Sequence, residues 1–431
     1  MGKYIHLFET NNEFISAYTG DDYLEPWVSY TEQTDDVNYN KSLLETPLTF
    51  EIISAGTIQM STWFFDDSHT FMYKKNGDEW EEYDSSTNNY TAITVNPGDR
   101  VQFKSNYGYV PYGDDPTYGF FDGTSCWFKV FGNIMSVRDY EDMDCVTLSA
   151  ESDTFRAMFL GCTGLTDASR LVLPATSLGS ETYGLLFGGC TNLTGTPKLP
   201  ATELATYCYF SMFQGCTSLT TAPELPATTM AGGCYSSMFM GCTSLVTPPA
   251  LPSTALANYC YQEMFDCCTS LTSAPALPAT TLADYCYDRM FYSCTTLTTA
   301  PALPATTLAT FCYGSMFSDC TALTSAPALP ATALTGSCYS QMFFGCTSLT
   351  AAPELPAPTL AAYCYSSMFS NCTSLNYIKC LATNISANNC VLSWVNSVQT
   401  TSGTFVKAPS MTSWTRGTSG IPNNWTVQDA S

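Results

Sequence analysis

A repeat of 26 residues is the sequence feature that most constrains the fold of this chain. Phenylalanine recurs nine times, first after 28 residues and then seven times after 26, at Phe159, Phe187, Phe213, Phe239, Phe265, Phe291, Phe317, Phe343 and Phe369. Repeats at a fixed spacing stack on their neighbours and bury a shared core. We therefore expect a solenoid over residues 151–395.

One repeat has the pattern of a helix followed by a short extended segment. Leu282, Cys286, Met290 and Cys294 are spaced by four residues, which predicts one face of a helix of about three turns. The A-P-x-L-P segment that follows is extended, and its proline lacks a backbone donor, so the strand ladder there should be short or irregular. The predicted fold class is α+β, a solenoid of nine helix-plus-short-strand repeats, preceded by a β-sandwich-like domain.

The cysteines follow the same period. A cysteine lies three residues after each phenylalanine of the series, and a second column runs from Cys208 to Cys390, so 17 of the 21 cysteines are periodic. Regular columns of a small apolar residue favour burial in a core. A zinc site needs clustered ligands, but no C-x-x-C pair occurs and His6 and His69 are the only histidines. We expect no metal and no cofactor.

The repeat motif carries a family resemblance. F-x-x-C-x-x-L followed by L-P resembles the leucine-rich repeats of the BspA type over residues 152–395, a family of bacterial surface proteins and of phages of gut bacteria. The stretch GKYIHLFETNNEFISAYTGDDYLEPWVSYTEQTDDVNYN is similar to the start of virion-associated proteins from phages of gut Bacteroidales. The first resemblance implies a stacked repeat fold, and the second implies an attachment segment on a phage particle.

The N-terminal third differs from the repeats in charge and pattern. Residues 1–150 hold 25 of the 38 acids and 8 of the 15 bases, which is −17 of the net charge of −23. Residues 1–45 should be an extended acidic anchor segment that orders on a partner. Residues 46–150 alternate like strands, with a hairpin turn at Asn76-Gly77, and predict a β-sandwich-like domain. Residues 396–431 should cap the repeats.

Composition and motifs exclude several functions. A pI of about 4.1 argues against nucleic-acid binding and against binding to an anionic membrane surface. No catalytic motif is present, so we expect no enzyme and no catalytic residues. The acidic runs at Asp114-Asp115 and at residues 141–144 match no calcium loop and are more typical of solvated faces.

One row of aromatic residues is a candidate binding surface. A tyrosine follows each of the first seven cysteines of the second column, which gives the row Tyr209, Tyr235, Tyr261, Tyr287, Tyr313, Tyr339 and Tyr365. Stacked repeats would align these rings, either as a surface for sugars or a partner, or as packing between repeats. A second, incomplete row contains Tyr207, Tyr259, Tyr285 and Tyr363.

Three functions remain open at this stage. The first is a phage structural or accessory protein in the virion, a head or tail fibre or a decoration protein. It would bind other virion proteins through its N-terminal segment and a host-surface glycan or protein through its repeats, as a homo-oligomer. The second is a BspA-like adhesin of the bacterial cell surface, which would need an export signal that the N-terminus does not display. The third is a glycan-degrading virion enzyme, which would need a cluster of carboxylates.

Overall fold

The computed structural model describes residues 5–6, 16–17, 42–60, 71–83, 92–106, 119–399 and 401–431. The chain divides into two compact parts, Met1–Ser42 and Leu43–Ser431. In the first part, strands β1 (Ile5–His6) and β2 (Ser16–Ala17) pair antiparallel. The anchor segment predicted for residues 1–45 lies mostly outside the described residues and stays a prediction.

The second part is rich in strands and turns. Its strands are β3 (Leu48–Ile52), β4 (Gly56–Met60), β5 (Phe71–Lys75), β6 (Glu81–Glu82), β7 (Ile93–Val95), β8 (Arg100–Ser105), β9 (Phe121–Asp122), β10 (Phe128–Asn133), β11 (Leu165–Val172), β12 (Tyr377–Cys380), β13 (Thr404–Lys407) and β14 (Thr426–Asp429). Helical backbone among the described residues is confined to one turn at residues 42–45 and a 3-10 helix at Ile134–Val137.

Two sheets precede the repeats and share a phenylalanine core. The larger sheet has the order β11-β10-β3-β8-β5-β6, and the smaller has the order β7-β4-β9. Phe121 of the smaller sheet contacts Phe50 and Phe103 of the larger one, with ring centroids 4.9 and 5.0 Å apart. Phe121 also stacks on Phe159, the first phenylalanine of the repeat series, at 5.6 Å. The core of the sheets is therefore continuous with the core of the repeats.

The predicted hairpin at Asn76-Gly77 is confirmed. Strands β5 and β6 pair antiparallel on either side of it. Asn76 and Gly77 have φ angles of 52° and 83°, and positive values at both positions match the right-handed twist of the flanking strands. The amide of Asp78 donates to the carbonyl of Lys75 (2.9 Å) and closes the turn.

The boundary that we placed at residue 150 falls between two segments of one sheet. Strand β11 comes from the first repeats, and it pairs in parallel with β10 over Phe128–Asn133. The hydrogen-bonded sheet therefore continues from the N-terminal strands into the repeats. Nothing else bears on the division into a sandwich domain and a repeat domain, which stays a prediction.

The predicted α+β solenoid of helix-plus-strand leucine-rich repeats is wrong. Residues 151–395 are all described, and none of them is helical. Where we expected a helix, each repeat has a run of consecutive turns with a positive φ at every fourth residue, as at Tyr207 (56°), Ser211 (50°) and Gly215 (71°). A right-handed helix cannot contain such residues, because left-handed backbone places Cβ too close to the next carbonyl oxygen. The fold is therefore β-rich rather than α+β.

The run of turns is held by two alternating sets of hydrogen bonds. The amide of Phe210 donates within its own turn to Tyr207 (3.1 Å), whereas the next-door amide of Tyr209 donates to Cys234 of the following repeat (3.0 Å). The same alternation recurs along the runs of the other repeats. A helix would direct every amide along its own axis. Here about half of the amides of each run connect one repeat to the next.

Between β11 and β12, the extended halves of the repeats form only isolated bridges, as the prolines predict. Successive repeats are joined there by single parallel bridges, such as Thr221 to Thr247 and Ser273 to Thr299. In the last repeat Ile378 and Lys379 replace the usual Ala-Pro. There the bridge grows into the regular strand β12, which pairs in parallel with β13, and β13 pairs with β14. The segment that lacks this proline is therefore a regular strand.

Stacked aromatic columns fill the core. Each phenylalanine of the 26-residue series stacks on the next with ring centroids 5.5 to 5.8 Å apart. The tyrosine column ends at Trp394, which stacks on Tyr365 at 6.3 Å and on Trp414 at 5.6 Å. Trp394 is fully buried, and its indole N–H donates to the carbonyl of Gly420 (2.8 Å). Residues after 396 therefore contact the last repeat, and their role as a cap stays a prediction.

The cysteines are free, and all but two of them are buried. The thiol of Cys294 donates to the carbonyl of Phe265 (3.1 Å), which also accepts the amide of Cys268 (3.1 Å). Every cysteine of the first column makes such a bond at 2.9 to 3.2 Å. Cysteine thus combines a small side chain with a donor that ties neighbouring repeats together.

This placement predicts how the cysteines react with an alkylating reagent. Burial raises the pKa of the Cys294 thiol well above its ordinary value, and the same cause raises the pKa of Cys267 to about 11. Because the thiolate is the reactive form, we expect native protein at pH 8 to label at most at Cys145 and Cys267, the two half-buried cysteines. Mass spectrometry of protein alkylated with iodoacetamide measures this.

The control is the same reaction in denaturant, where all 21 cysteines should label. Rapid labelling of the column cysteines in the native protein would show that the repeats do not pack in this way.

Candidate functional site

The predicted tyrosine row lies in the interior and not on a surface. Each of its seven rings is only 1% exposed, and neighbouring rings stack 5.7 to 6.1 Å apart: Tyr209, Tyr235, Tyr261, Tyr287, Tyr313, Tyr339 and Tyr365. Burial raises the pKa of the Tyr235 hydroxyl, so this group stays protonated. A ring with both faces covered by its neighbours offers nothing to a ligand. The row therefore serves packing, and it is not the binding surface that we expected.

The incomplete row is the accessible one. Tyr207, Tyr259 and Tyr285 are half-buried, and Tyr363 is 39% exposed. Tyr285 stacks on both Tyr259 and Phe311 with ring centroids 4.9 Å apart. These residues belong to the turn face, by which we mean the outward side chains of the runs of turns. Because the middle rings cover one another, the places where this row is interrupted matter more for binding than the row itself.

A cleft of about 480 Å³ lies on the turn face, among the repeats where Gly233 interrupts the row. Its aromatic wall is formed by Tyr207 and Phe210, whose rings meet edge to face at 5.8 Å. The next repeat contributes only Ser236, Ser237 and Met240, and the repeat after that forms the opposite, polar wall with Gln262 and Glu263. The small side chains of Ser236 and Ser237 between bulkier neighbours therefore leave room for the cleft. Its volume lies within the range of about 300 to 1,000 Å³ that is usual for small-molecule sites.

Glycine at position 233 is required for this shape. A Cβ there would lie 2.2 Å from the ring of Tyr207, and the φ angle of Gly233 is +59°. The equivalent residues in the next two repeats are Tyr259 and Tyr285. Glycine thus removes a side chain from the row and lets the Tyr207 ring lie against the backbone of the neighbouring repeat.

The polar wall is held in place by its neighbours. Ser237 donates to Oε2 of Glu263 (3.1 Å), and Arg289 lies 3.7 Å from Oε1 of the same carboxylate. Gln262 donates through Nε2 to Asp288 (3.3 Å). These contacts fix the acceptors of the wall before any ligand arrives.

The far end of the cleft carries a second ion pair. Glu181 lines this end, and its Oε2 lies 3.1 Å from Nε of Arg156. No lysine or arginine is among the residues that line the cleft. The site therefore presents aromatic rings, hydroxyls, amides and carboxylates, and its own lining supplies no positive charge.

The candidate calcium residues do not form a site among the described residues. Asp114 and Asp115 lie outside them. Glu141, Asp142 and Asp144 are exposed, and Asp142 lies 3.7 Å from Arg138. Within the described part of the chain, no three histidine, cysteine, aspartate or glutamate side chains are placed to hold a metal ion.

Reasoning from the sequence missed the cleft but had a signal for it. The consensus repeat places an aromatic residue before the second cysteine, whereas this repeat has Gly232-Gly233 there. A departure from an otherwise regular column marks a place where the surface differs. The column alone did not show that Phe210, Gln262 and Glu263 would line the same cleft.

Comparison with known proteins adds no family. No protein-family model matches the sequence, and no curated protein is significantly similar to it. None of the helices in the described residues is long and apolar enough to cross a membrane.

One buried acid behind the polar wall should make stability depend on pH. Asp288 is 9% exposed, and a Cβ at the facing Gly314 would lie 2.5 Å from its Oδ1. Burial raises the pKa of Asp288 to about 6, against the opposing effects of the hydrogen bond from Gln262 and the charge of Arg289. The unfolded chain, with an aspartate pKa of about 4, loses the proton at lower pH than the folded chain does.

We therefore expect the contribution of Asp288 to folding to be most favourable below about pH 4 and to be lost as the pH rises to about 6. The substitution Asp288→Asn should raise the denaturant midpoint at pH 7 and leave it nearly unchanged at pH 4, with a full effect of up to about 3 kcal/mol. Glu224→Gln, a change of the same kind at an exposed position, is the control. An equal effect of Asp288→Asn at both pH values would contradict the assignment.

Proposed function

We propose that this chain is a structural or accessory protein of a phage particle whose repeats bind the surface of the host through the cleft between Tyr207 and Glu263. The observation that carries the adhesion half of this proposal is the cleft itself, which is preformed and combines an aromatic wall with fixed polar acceptors. The similarity of residues 2–40 to virion-associated proteins supports the placement on a particle.

The construction of the repeats suits adhesion. Hydrogen bonds and stacked rings tie each repeat to the next, so the walls of the cleft are held by the core. A preorganised site loses little conformational entropy when a ligand binds. A rigid binding site therefore suits a protein that must stay bound to the surface of a host cell.

The contacts of the carboxylates in the cleft favour a binding function over hydrolysis. Glu263 and Glu181 are the acids that line the cleft, and each is close to an arginine, Arg289 and Arg156 respectively. An inverting or retaining glycosidase uses a pair of carboxyl groups on either side of the scissile bond, one of which donates a proton. The contacts of Glu263 and Glu181 with arginines instead hold the two side chains in place, which suits the orientation of a bound ligand.

The N-terminal segment would provide the attachment. Residues 1–45 hold nine of the acids of the chain against two bases. We propose that this segment binds other virion proteins, and that the protein acts as a homo-oligomer, which is the usual state of proteins displayed on symmetric particles.

Two measurements test the proposal. Mass spectrometry of purified phage particles should detect the protein. The fluorescently labelled full chain should bind host cells, and Tyr207→Ala should weaken this binding by about tenfold, because an aromatic residue at the centre of a contact commonly contributes that much. Tyr363→Ala is the matched control, since it removes a ring of the same column six repeats away.

Three results would contradict the proposal. Recovery of the protein only from bacterial envelopes would favour a cell-surface adhesin. Release of soluble sugars from host cells by the protein would favour an enzyme. Equal binding of Tyr207→Ala, Tyr363→Ala and the unchanged chain would exclude the cleft as the adhesive site.

A further inference from the structure

We infer that the cleft binds an uncharged sugar of a host glycan, with the C–H face of the sugar on the aromatic wall and its hydroxyls on the polar wall. This inference rests on the proposed function and names the class of ligand that the site would take.

The shape of the cleft fits one ring-sized group. Successive repeats lie about as far apart as their stacked rings, 5.7 Å between Tyr209 and Tyr235 and 5.9 Å between Tyr235 and Tyr261. At the turn face, the ring of Tyr207 covers Gly233, and the floor of the cleft is formed by Ser236, Ser237 and Met240. The volume of about 480 Å³ above the two serines is therefore large enough for one sugar ring.

The two walls match the two sides of a sugar. Tyr207 and Phe210 meet at an interplanar angle of 84° and form an apolar corner. A pyranose ring has an apolar face of C–H groups, which packs against an aromatic ring, and a rim of hydroxyls, which must be hydrogen-bonded when water is removed. A flat aromatic ligand would use the corner but would leave the acceptors opposite it without donors.

The acceptors have capacity left for hydroxyl groups. An ionised carboxylate has about four acceptor sites. Ser237 donates to one oxygen of Glu263, and the charge of Arg289 lies beside the other. The remaining sites can accept from two neighbouring hydroxyls of one sugar. The amide of Gln214, which contacts the sulfur of Met240 at 3.7 Å, can exchange this weak acceptor for a hydroxyl oxygen.

The charge of the site selects against acidic glycans. A sulfate, phosphate or uronate group would meet Glu263 or Glu181, and the arginines beside them, Arg289 and Arg156, lie outside the lining and already contact these carboxylates. Sites for anions are normally built from arginine, lysine or backbone N–H groups. The net charge of −23 adds long-range repulsion for an anionic polymer. An uncharged sugar avoids both costs.

A competition experiment tests the inference with the full chain. Labelled protein is bound to host cells, and soluble oligosaccharides of glucose, galactose, mannose and N-acetylglucosamine are added, in parallel with polygalacturonate, heparin and oligolysine. We expect at least one of the neutral oligosaccharides to displace the protein, and the two acidic polymers to have no effect at the same sugar concentration and physiological salt.

Direct titration of the effective oligosaccharide should then identify the cleft. Tyr207→Ala should weaken its binding by about tenfold, Glu263→Gln should weaken it to a lesser degree, and Tyr363→Ala should leave it unchanged. Thermal midpoints of the variants show whether each of them is folded. Glu263→Gln keeps an acceptor oxygen and the size of the side chain, so it serves where Tyr207→Ala fails to fold.

The outcomes separate this inference from the function on which it rests. Binding to host cells that only heparin, polygalacturonate or oligolysine displaces would overturn the sugar while the adhesive function stands. Displacement by a neutral oligosaccharide whose affinity is the same for Tyr207→Ala, Glu263→Gln and Tyr363→Ala would overturn the cleft as its site. A chain that does not bind host cells at all contradicts the proposed function instead.

Discussion

The hydrogen bonds between the runs of turns are the interaction on which the rest of the structure depends. Alternate amides, such as that of Tyr209, leave their own turn and donate to the next repeat, here to Cys234. Each such bond contributes about 1 kcal/mol, and each left-handed residue between them costs about as much. Neither a single repeat nor a single run could therefore persist alone. The spacing within each run must be kept, because an insertion there would displace donors from their acceptors, whereas the 28-residue step from Phe159 to Phe187 keeps these bonds.

The core was predictable from the sequence, but its backbone was not. The columns of Phe, Cys and Tyr predicted buried stacks of side chains. The prolines predicted interrupted strand pairing, and a regular strand does form where Ile378-Lys379 replaces Ala-Pro. The predicted helix was wrong because a spacing of four residues between apolar side chains fits a run of turns that repeats every four residues as well as it fits a short helix. In an ideal helix three such steps leave side chains about 120° apart, so the strict series from Leu282 to Cys294 already favoured a period of four.

The candidate site shows why a regular column is a poor guide to binding. Tyr209 and Tyr207 are two residues apart, yet one ring is buried in the core and the other forms a wall of the cleft. The sequence pattern cannot show which of two columns points outward when the backbone itself is misassigned. What distinguishes the site is an exception to the repeat at Gly232-Gly233. In a chain of near-identical repeats, positions that depart from the consensus are therefore the better guide to a candidate binding site.

The central claim is that the repeats are built from turns bonded to their neighbours and not from helices. Far-UV circular dichroism of the full chain tests it most directly, since residues 151–395 are more than half of the molecule. The structure predicts a spectrum without the double minimum of an α-helix, and a loss of its signal together with the tertiary fold on heating. A strongly helical spectrum, of the size given by a three-turn helix in each of nine repeats, would contradict it.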